Sequence, residues 1–260
     1  MEYKTIKTQR DKDIVTVSLN RPDVHNAMNE TLMKELTSCF KELSKDVNLR
    51  CIILSGIGKS FCAGADLNWM KSMINYTKEE NIKDSRLLLN LYDAIYKCPK
   101  PVIGRINGNA FGGGIGLIAV CDITVTTPGN KFAFSEANLG IIPSVISTYI
   151  KSRMKLSDMR RYFITAELFD SNTANKIGLI DYVVDIENFD EKIKDCVKLV
   201  LSSGPNAISE VKNLIENISK LDIDDYKEFT VEKISELRIS KEGQEGISSF
   251  LEKRKPSWRE

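Results

Sequence analysis

Three places in the chain carry residue types that could do chemistry. They are a glycine cluster (Gly112, Gly113, Gly114 and Gly116), a small-residue turn (Ala63-Gly64-Ala65-Asp66) and a loop carboxylate, Glu136. An apolar run leads into the glycine cluster and another follows it, which reads as strand, turn and helix. The first N–H groups of a helix have no intrahelical partner, and the macrodipole adds partial positive charge there. Glycines let an electron-rich group approach that backbone with no side chain in the way. A close helix contact would account for them equally well, and on this stretch alone both readings stand. No G-x-G-x-x-G frame fits the cluster and no Gly-Lys-Ser/Thr follows it, so neither the dinucleotide fingerprint nor the phosphate loop is met. If the two turns converge, one N–H from each makes a two-donor oxyanion hole. Such a hole suits a thioester carbonyl that becomes an enolate.

Other chemistries are narrowed by what the chain contains. Its single histidine, His25, excludes a multi-histidine zinc site and any triad built on another histidine. The six cysteines form no C-x-x-C pair and mostly lie in apolar segments, as reduced core cysteines of a cytosolic protein do. A formal net charge of +1 over 260 residues gives no field that would favour nucleic acid, an anionic membrane or acidic substrates. No signal peptide and no membrane span are expected, so the expected location is cytoplasmic.

The elements that must position these groups follow from periodicity. Ile14–Leu19 alternates as a strand, and Asn29 precedes a helix with Leu32, Met33, Leu36, Phe40 and Leu43 on one face. Leu49–Leu54 reads as a buried strand, Lys78–Tyr96 as a helix, and Cys121–Thr126 and Lys131–Phe134 as further strands. Strands alternating with helices argue an α/β fold with parallel pairing, and the strand–turn–helix recurrence from residues 14, 51 and 101 suggests a repeating superhelix. From about Asp190 onward the pattern is helical throughout and too thin to bury two faces of each helix. The expected division is therefore a core over residues 1–190 and a helical region over 191–260 that packs on the core or on a neighbouring subunit.

Taken together, these residues resemble the crotonase superfamily, the enoyl-CoA hydratases and isomerases. The matching pieces run in order: Leu19-Asn-Arg-Pro22 with Asn26-Ala27, Phe61-Cys-Ala-Gly-Ala-Asp-Leu67, Lys100-Pro101-Val102, Asn107-Gly108 with Gly112-Gly-Gly114, Cys121-Asp122-Ile123, Phe132 with Glu136 and Leu139-Gly140-Ile-Ile-Pro143, and Glu242-Gly with Phe250 to Pro256. The resemblance implies a ββα spiral core with a helical C-terminal trimerisation region, assembled as a trimer or a dimer of trimers. It implies that the N–H groups of Ala65 and Gly113 bind the thioester oxygen of an acyl-CoA and that Glu136 is a catalytic glutamate. Val24, Asn26, Ala63, Asp66 and Leu67 match segments lining the bent CoA, and Phe250 and Lys253 match C-terminal positions that help cover it. No cofactor is implied beyond the CoA of the substrate, and no metal, nucleic acid or membrane partner.

One departure stands out. The first of the two glutamates in straight-chain hydratases falls two residues after the third glycine, and here that position is Gly116. The surrounding pattern is similar to single-glutamate hydratases of the methylglutaconyl-CoA type, in which one carboxylate both activates water and returns a proton to the α-carbon. The expected activity is thus hydration of a 2-enoyl-CoA. Double-bond isomerisation, decarboxylation of a carboxyacyl-CoA and a non-catalytic RNA- or CoA-binding role are the alternatives. Asp66 is expected to cap a helix, Asp122 to be structural and His25 to be an exposed loop residue. Trp69, Met70, Met73, Phe134 and Val145 are expected to shape the acyl pocket.

Overall fold

The computed structural model describes residues 3–259. The chain opens with β1 (Ile6–Asp11), β2 (Ile14–Leu19), α1 (Glu30–Leu43), β3 (Cys51–Gly56) and β4 (Ser60–Cys62). It continues through α2 (Leu67–Met73), α3 (Lys78–Tyr96), β5 (Val102–Ile106), β6 (Asn109–Phe111), α4 (Gly113–Ala119), β7 (Ile123–Thr126) and β8 (Lys131–Ala133). After a 3-10 turn (Ser135–Leu139) come α5 (Ser144–Ile150), α6 (Leu156–Thr165), β9 (Phe169–Asp170), α7 (Ser171–Lys176) and β10 (Tyr182–Val183). Four helices close the chain: α8 (Phe189–Leu201), α9 (Pro205–Asn217), α10 (Ile223–Ile239) and α11 (Lys241–Leu251).

Two sheets are built in step. β3, β5 and β7 join one sheet of order β1-β2-β3-β5-β7-β10, and the strand after each joins a second of order β4-β6-β8-β9. Each turn of the chain gives one strand to each sheet and then a helix, which is the ββα spiral. The expected parallel pairing holds for β2 through β10 in the first sheet and for β4, β6 and β8 in the second. Between the layers lies a continuous apolar core containing Leu19, Leu54, Phe61, Ile106 and Phe132. α1 buries Leu32, Met33, Leu36, Cys39 and Phe40 against it, and Asn29 caps the helix by accepting from Leu32 N at 3.0 Å. The far face of the six-stranded sheet is covered by α8, where Phe189, Ile193, Cys196 and Val197 meet Cys51, Ile103 and Val125.

Several strands have no counterpart in the sequence reading, for physical reasons. β1 has an almost wholly exposed face of charged and polar residues, as an edge strand does, so it shows no apolar alternation. β4 and β6 have three residues each, too few for a period to register. Phe134 is fully buried and packs on Phe163, with ring centroids 4.6 Å apart. The six cysteines are all buried and free.

The last three helices are tied to one another and to the core by polar contacts. Gly204 offers α9 no side-chain cap, and Glu242 supplies one from the start of α11 by accepting from Asn206 N at 2.9 Å and Ala207 N at 2.8 Å. Lys212 on α9 pairs with Asp122 at 2.6 Å, and Asp122 also accepts from Val102 N at 2.7 Å. Asp122 is structural, as expected. No helix among the described residues is long and apolar enough to cross a membrane.

Candidate active site

The two small-residue turns do converge. β4 runs directly into Ala63–Asp66 and β6 runs directly into Gly112–Gly114, and β4 and β6 are neighbours in the second sheet. Gly64, at φ +91°, lies so close to the next turn that a Cβ there would stand 2.9 Å from the carbonyl oxygen of Phe111. In return, a Cβ on Gly114 would collide with the carbonyl oxygen of Cys62. The close-contact reading of the glycines is therefore correct, and the same contacts hold the two turns side by side.

Met28 sits between the two donors. Its N–H donates to Gly64 O at 2.7 Å and its carbonyl accepts from Asp66 N at 2.8 Å, so Ala65 is held on both sides. The N–H of Ala65 has no acceptor among the described residues. Gly113 begins α4, so its N–H has no carbonyl one turn earlier to bond. The peptide carrying it is fixed by Gly112 N donating to Ala133 O at 3.0 Å and by Ile115 N donating to Gly112 O at 2.9 Å. A Cβ at 113 would strike the Met28 methyl, so a side chain there would require Met28 to move.

Glu136 enters from the 3-10 turn after β8, the strand beside β6. Its Oε1 would lie 3.3 Å from a Cβ on Gly112, one residue from the Gly113 donor. Its Oε2 is buried without a hydrogen-bond partner among the described residues, and burial pushes the carboxyl above its ordinary pKa. An ionised carboxylate left so poorly solvated is a reactive base. The same cluster holds a residue of α3 that the sequence analysis does not place at the site. Tyr92 is fully buried, donates its hydroxyl to Gly113 O at 2.7 Å, and is raised well above the ordinary phenol pKa by burial and by the charges of Cys62 and Glu136. The missing side chain at Gly116 was the available signal, since a close-packed interior leaves no such volume empty.

The remaining expected site residues divide by location. Val24 is exposed in the loop before α1, next to the turn, where Ala63 N donates to His25 O at 3.0 Å. His25 is exposed, as expected, and its Nδ1 lies 3.0 Å from Ser60 Oγ. Asn26 is wholly buried, and its amide donates to Ile57 O at 2.9 Å and Ser60 O at 2.8 Å. Leu67 opens α2 and is exposed. Phe250, 81% exposed, and Lys253 stand at the end of α11, which packs on α9 and α10 rather than on the turns. Val145 lines a cleft of about 360 Å³ with Lys78, Ser85, Arg86 and Leu89.

Asp66 caps α2 through Asn68 N at 2.8 Å and Trp69 N at 3.3 Å, and pairs with Arg21 at 2.8 Å. Burial alone would raise its carboxyl, but the hydrogen bonds from Arg21 and the helix N–H groups outweigh it and hold the group below the usual range. Arg21 also donates to Ala27 O, so this pair clamps the loop carrying Asn26 to the turn carrying Ala65. Asp66→Ala should cost about 3 kcal/mol, because the cap is lost and a half-buried guanidinium is left unpaired. Urea unfolding at neutral pH would register the loss. With the folded-state pKa depressed, the carboxylate's contribution is complete above the unfolded value and disappears as pH falls through the folded one. The deficit of the variant should vanish in that acid window.

The ββα spiral thus brings the two small-residue turns together beside a desolvated glutamate. The chain belongs to the enoyl-CoA hydratase/isomerase family, whose model it matches over residues 9–260. It is an enzyme of that family. It is 31% identical over 257 residues to a short-chain-enoyl-CoA hydratase of Clostridium acetobutylicum, covering 98% of this chain and 97% of the relative. It is 28% identical over 261 residues to a 1,2-epoxyphenylacetyl-CoA isomerase of Escherichia coli, covering 99% of this chain and 98% of the relative. The crystal structure of an enoyl-CoA hydratase from Shewanella pealeana superposes with a TM-score of 0.95 at 33% identity, covering 99% of this chain and 97% of that one.

Proposed function

We propose that this enzyme adds water to a 2-enoyl-CoA, with Glu136 as acid/base and the N–H groups of Ala65 and Gly113 as the oxyanion hole. The observation that carries the reading is the buried Oε2 of Glu136, beside a turn whose first helical N–H, like that oxygen, has no partner among the described residues. In the forward step Glu136 takes a proton from water as the oxygen adds to the β-carbon. The electron pair of the double bond moves onto the thioester oxygen, where two N–H dipoles meet the developing charge. Glu136 then returns its proton to the α-carbon, leaving the 3-hydroxyacyl-CoA. The chemistry draws on no metal and no cofactor other than the substrate's CoA.

The CoA is proposed to follow the loop of Val24 and Asn26 and the turn Ala63 to Leu67. Asn26 and Asp66 would shape that groove without touching the ligand through their side chains, which are already committed. The division near residue 190 is kept as part of this reading, the core binding the acyl-CoA and the C-terminal helices serving assembly. A trimer or dimer of trimers is supported by α9 and α10, which bury no residue in the single chain and leave Val211, Ile215, Val231 and Ile234 exposed. Phe250 and Lys253 would then reach the CoA of a neighbouring copy. Six buried free thiols support a reducing, cytoplasmic setting.

For the acyl group, the reading favours an enoyl-CoA with a second carboxylate, of the 3-methylglutaconyl kind. The cleft at Val145 is lined by Lys78 and Arg86, whose cationic ends suit a distal carboxylate. The experiment is a panel of straight-chain, branched and carboxylated enoyl-CoAs, scored for added water, shifted double bond or lost carbon dioxide. Hydration fastest on the carboxylated thioester is the expected outcome. Isomerisation without hydration would establish the second reading, which one carboxylate near the thioester also permits. Turnover of none of them, with salt-resistant RNA binding, would replace catalysis by a binding role.

A further inference from the structure

The side chain absent at Gly116 has left a space that another residue fills, and that residue touches the oxyanion turn. A Cβ placed on Gly116 would stand 2.5 Å from both Cζ and Oη of Tyr92 and 2.7 Å from Cγ2 of Ile146. No side chain fits at 116 while Tyr92 keeps its place. The ring is set by α3 and supported edge-on by Tyr149 at 5.6 Å, whose own hydroxyl donates to Asp93 at 2.9 Å. From that position the Tyr92 hydroxyl reaches back to the Gly113 carbonyl at 2.7 Å.

The turn needs such a hold. Four of the five residues from 112 to 116 are glycine, and Gly112 adopts φ +48°. A helix that begins on glycines has little intrinsic preference for one backbone geometry. The peptide that presents the Gly113 N–H is anchored upstream by the bond from Gly112 N to Ala133 O. Downstream, the Gly113 carbonyl is the group that Tyr92 takes.

We infer that Tyr92 is a positioning residue that stands in for the absent first glutamate: its ring closes the volume over Gly116 and its hydroxyl fixes the Gly113 turn, which makes this a site with one acid/base and a rigid oxyanion hole. Tyr92 contacts no reacting atom in this account. It acts through the N–H of Gly113, and the inference rests on the proposal that this N–H binds the thioester oxygen.

The test reads the hole and the residue separately. A non-reacting saturated acyl-CoA is bound to the wild-type enzyme and the thioester carbonyl stretch is followed by difference infrared spectroscopy. The wild type should lower that frequency relative to free ligand, and Glu136→Gln should lower it as much. Tyr92→Phe keeps the ring and removes only the hydroxyl. It should lose a large part of the frequency shift and about tenfold in kcat, with KM little changed. No shift in the wild type would sink the oxyanion reading itself. A full shift and full kcat in Tyr92→Phe would sink the role of Tyr92 and leave the hole standing. The volume half is tested by Tyr92→Ala combined with Gly116→Glu. The pair should fold more stably than Gly116→Glu alone, by thermal melting, and a pair no more stable than that single variant would overturn it.

Discussion

Glu136→Gln should reduce hydration by about 10²- to 10⁴-fold in kcat, the range a positioned general acid/base supplies. The amide is nearly isosteric, so the acyl-CoA should bind with a Kd close to that of the wild type, measured by calorimetry with a non-reacting thioester. Near-wild-type turnover would remove Glu136 from the mechanism. A pH signature accompanies the loss. Burial raises the Glu136 pKa, and the base form is the carboxylate, so the wild-type rate should fall as pH drops through that raised value. The residual rate of the variant should lack this limb. Stability moves the other way. With the folded pKa above the unfolded one, the ionised group opposes folding, fully so above the folded value and not at all below the unfolded value of about 4.3. Glu136→Gln should therefore melt higher than the wild type at pH 8, and the difference should close in acid.

The second large effect is expected at a backbone atom. Exchanging Ala65 for its α-hydroxy counterpart turns the peptide bond after Gly64 into an ester and deletes one N–H with no change of side chain. Gly64 O and Asp66 N keep their bonds to Met28 in outline, so the turn keeps its place. Loss of one oxyanion donor costs about 2.7–4 kcal/mol of transition-state stabilisation, or about 10²- to 10³-fold in kcat. The loss should fall on kcat more than on KM, because the donor meets more charge in the enolate than in the ground-state carbonyl. A variant with unchanged kcat would show that Ala65 N–H does not face the thioester.

How far the sequence carried these conclusions depended on the kind of signal each feature leaves. Long amphipathic elements were plain: α3 runs over Lys78–Tyr96 as its periodicity required, and β2 over Ile14–Leu19. The short strands β4 and β6 were invisible because three residues define no period, yet they are the pieces that deliver both turns. Glu136 was reached through its place in an ordered set of motifs, since nothing local to a loop glutamate marks it. Tyr92 falls within a helix that the sequence predicts, but it was not legible as part of the site. Its role depends on a void at Gly116, on another helix, and packing complementarity between distant elements leaves no local pattern. Glu242 was noticed as a motif, but its capping of α9 required knowing that the start of α11 lies against Gly204.

The burial of Cys62 gives the two turns a built-in reporter. Its thiol is fully enclosed and burial pushes its pKa up to about 12, so the reactive thiolate is scarce twice over. Its carbonyl oxygen bears on Gly114, and its chain continues into the turn of Ala65. A thiol reagent can reach it only when the packing around β4 opens, so its labelling rate measures how often this part of the core comes apart. Bound acyl-CoA should then slow the labelling of Cys62 more than that of Cys196, which sits on the buried face of α8 against the far face of the six-stranded sheet.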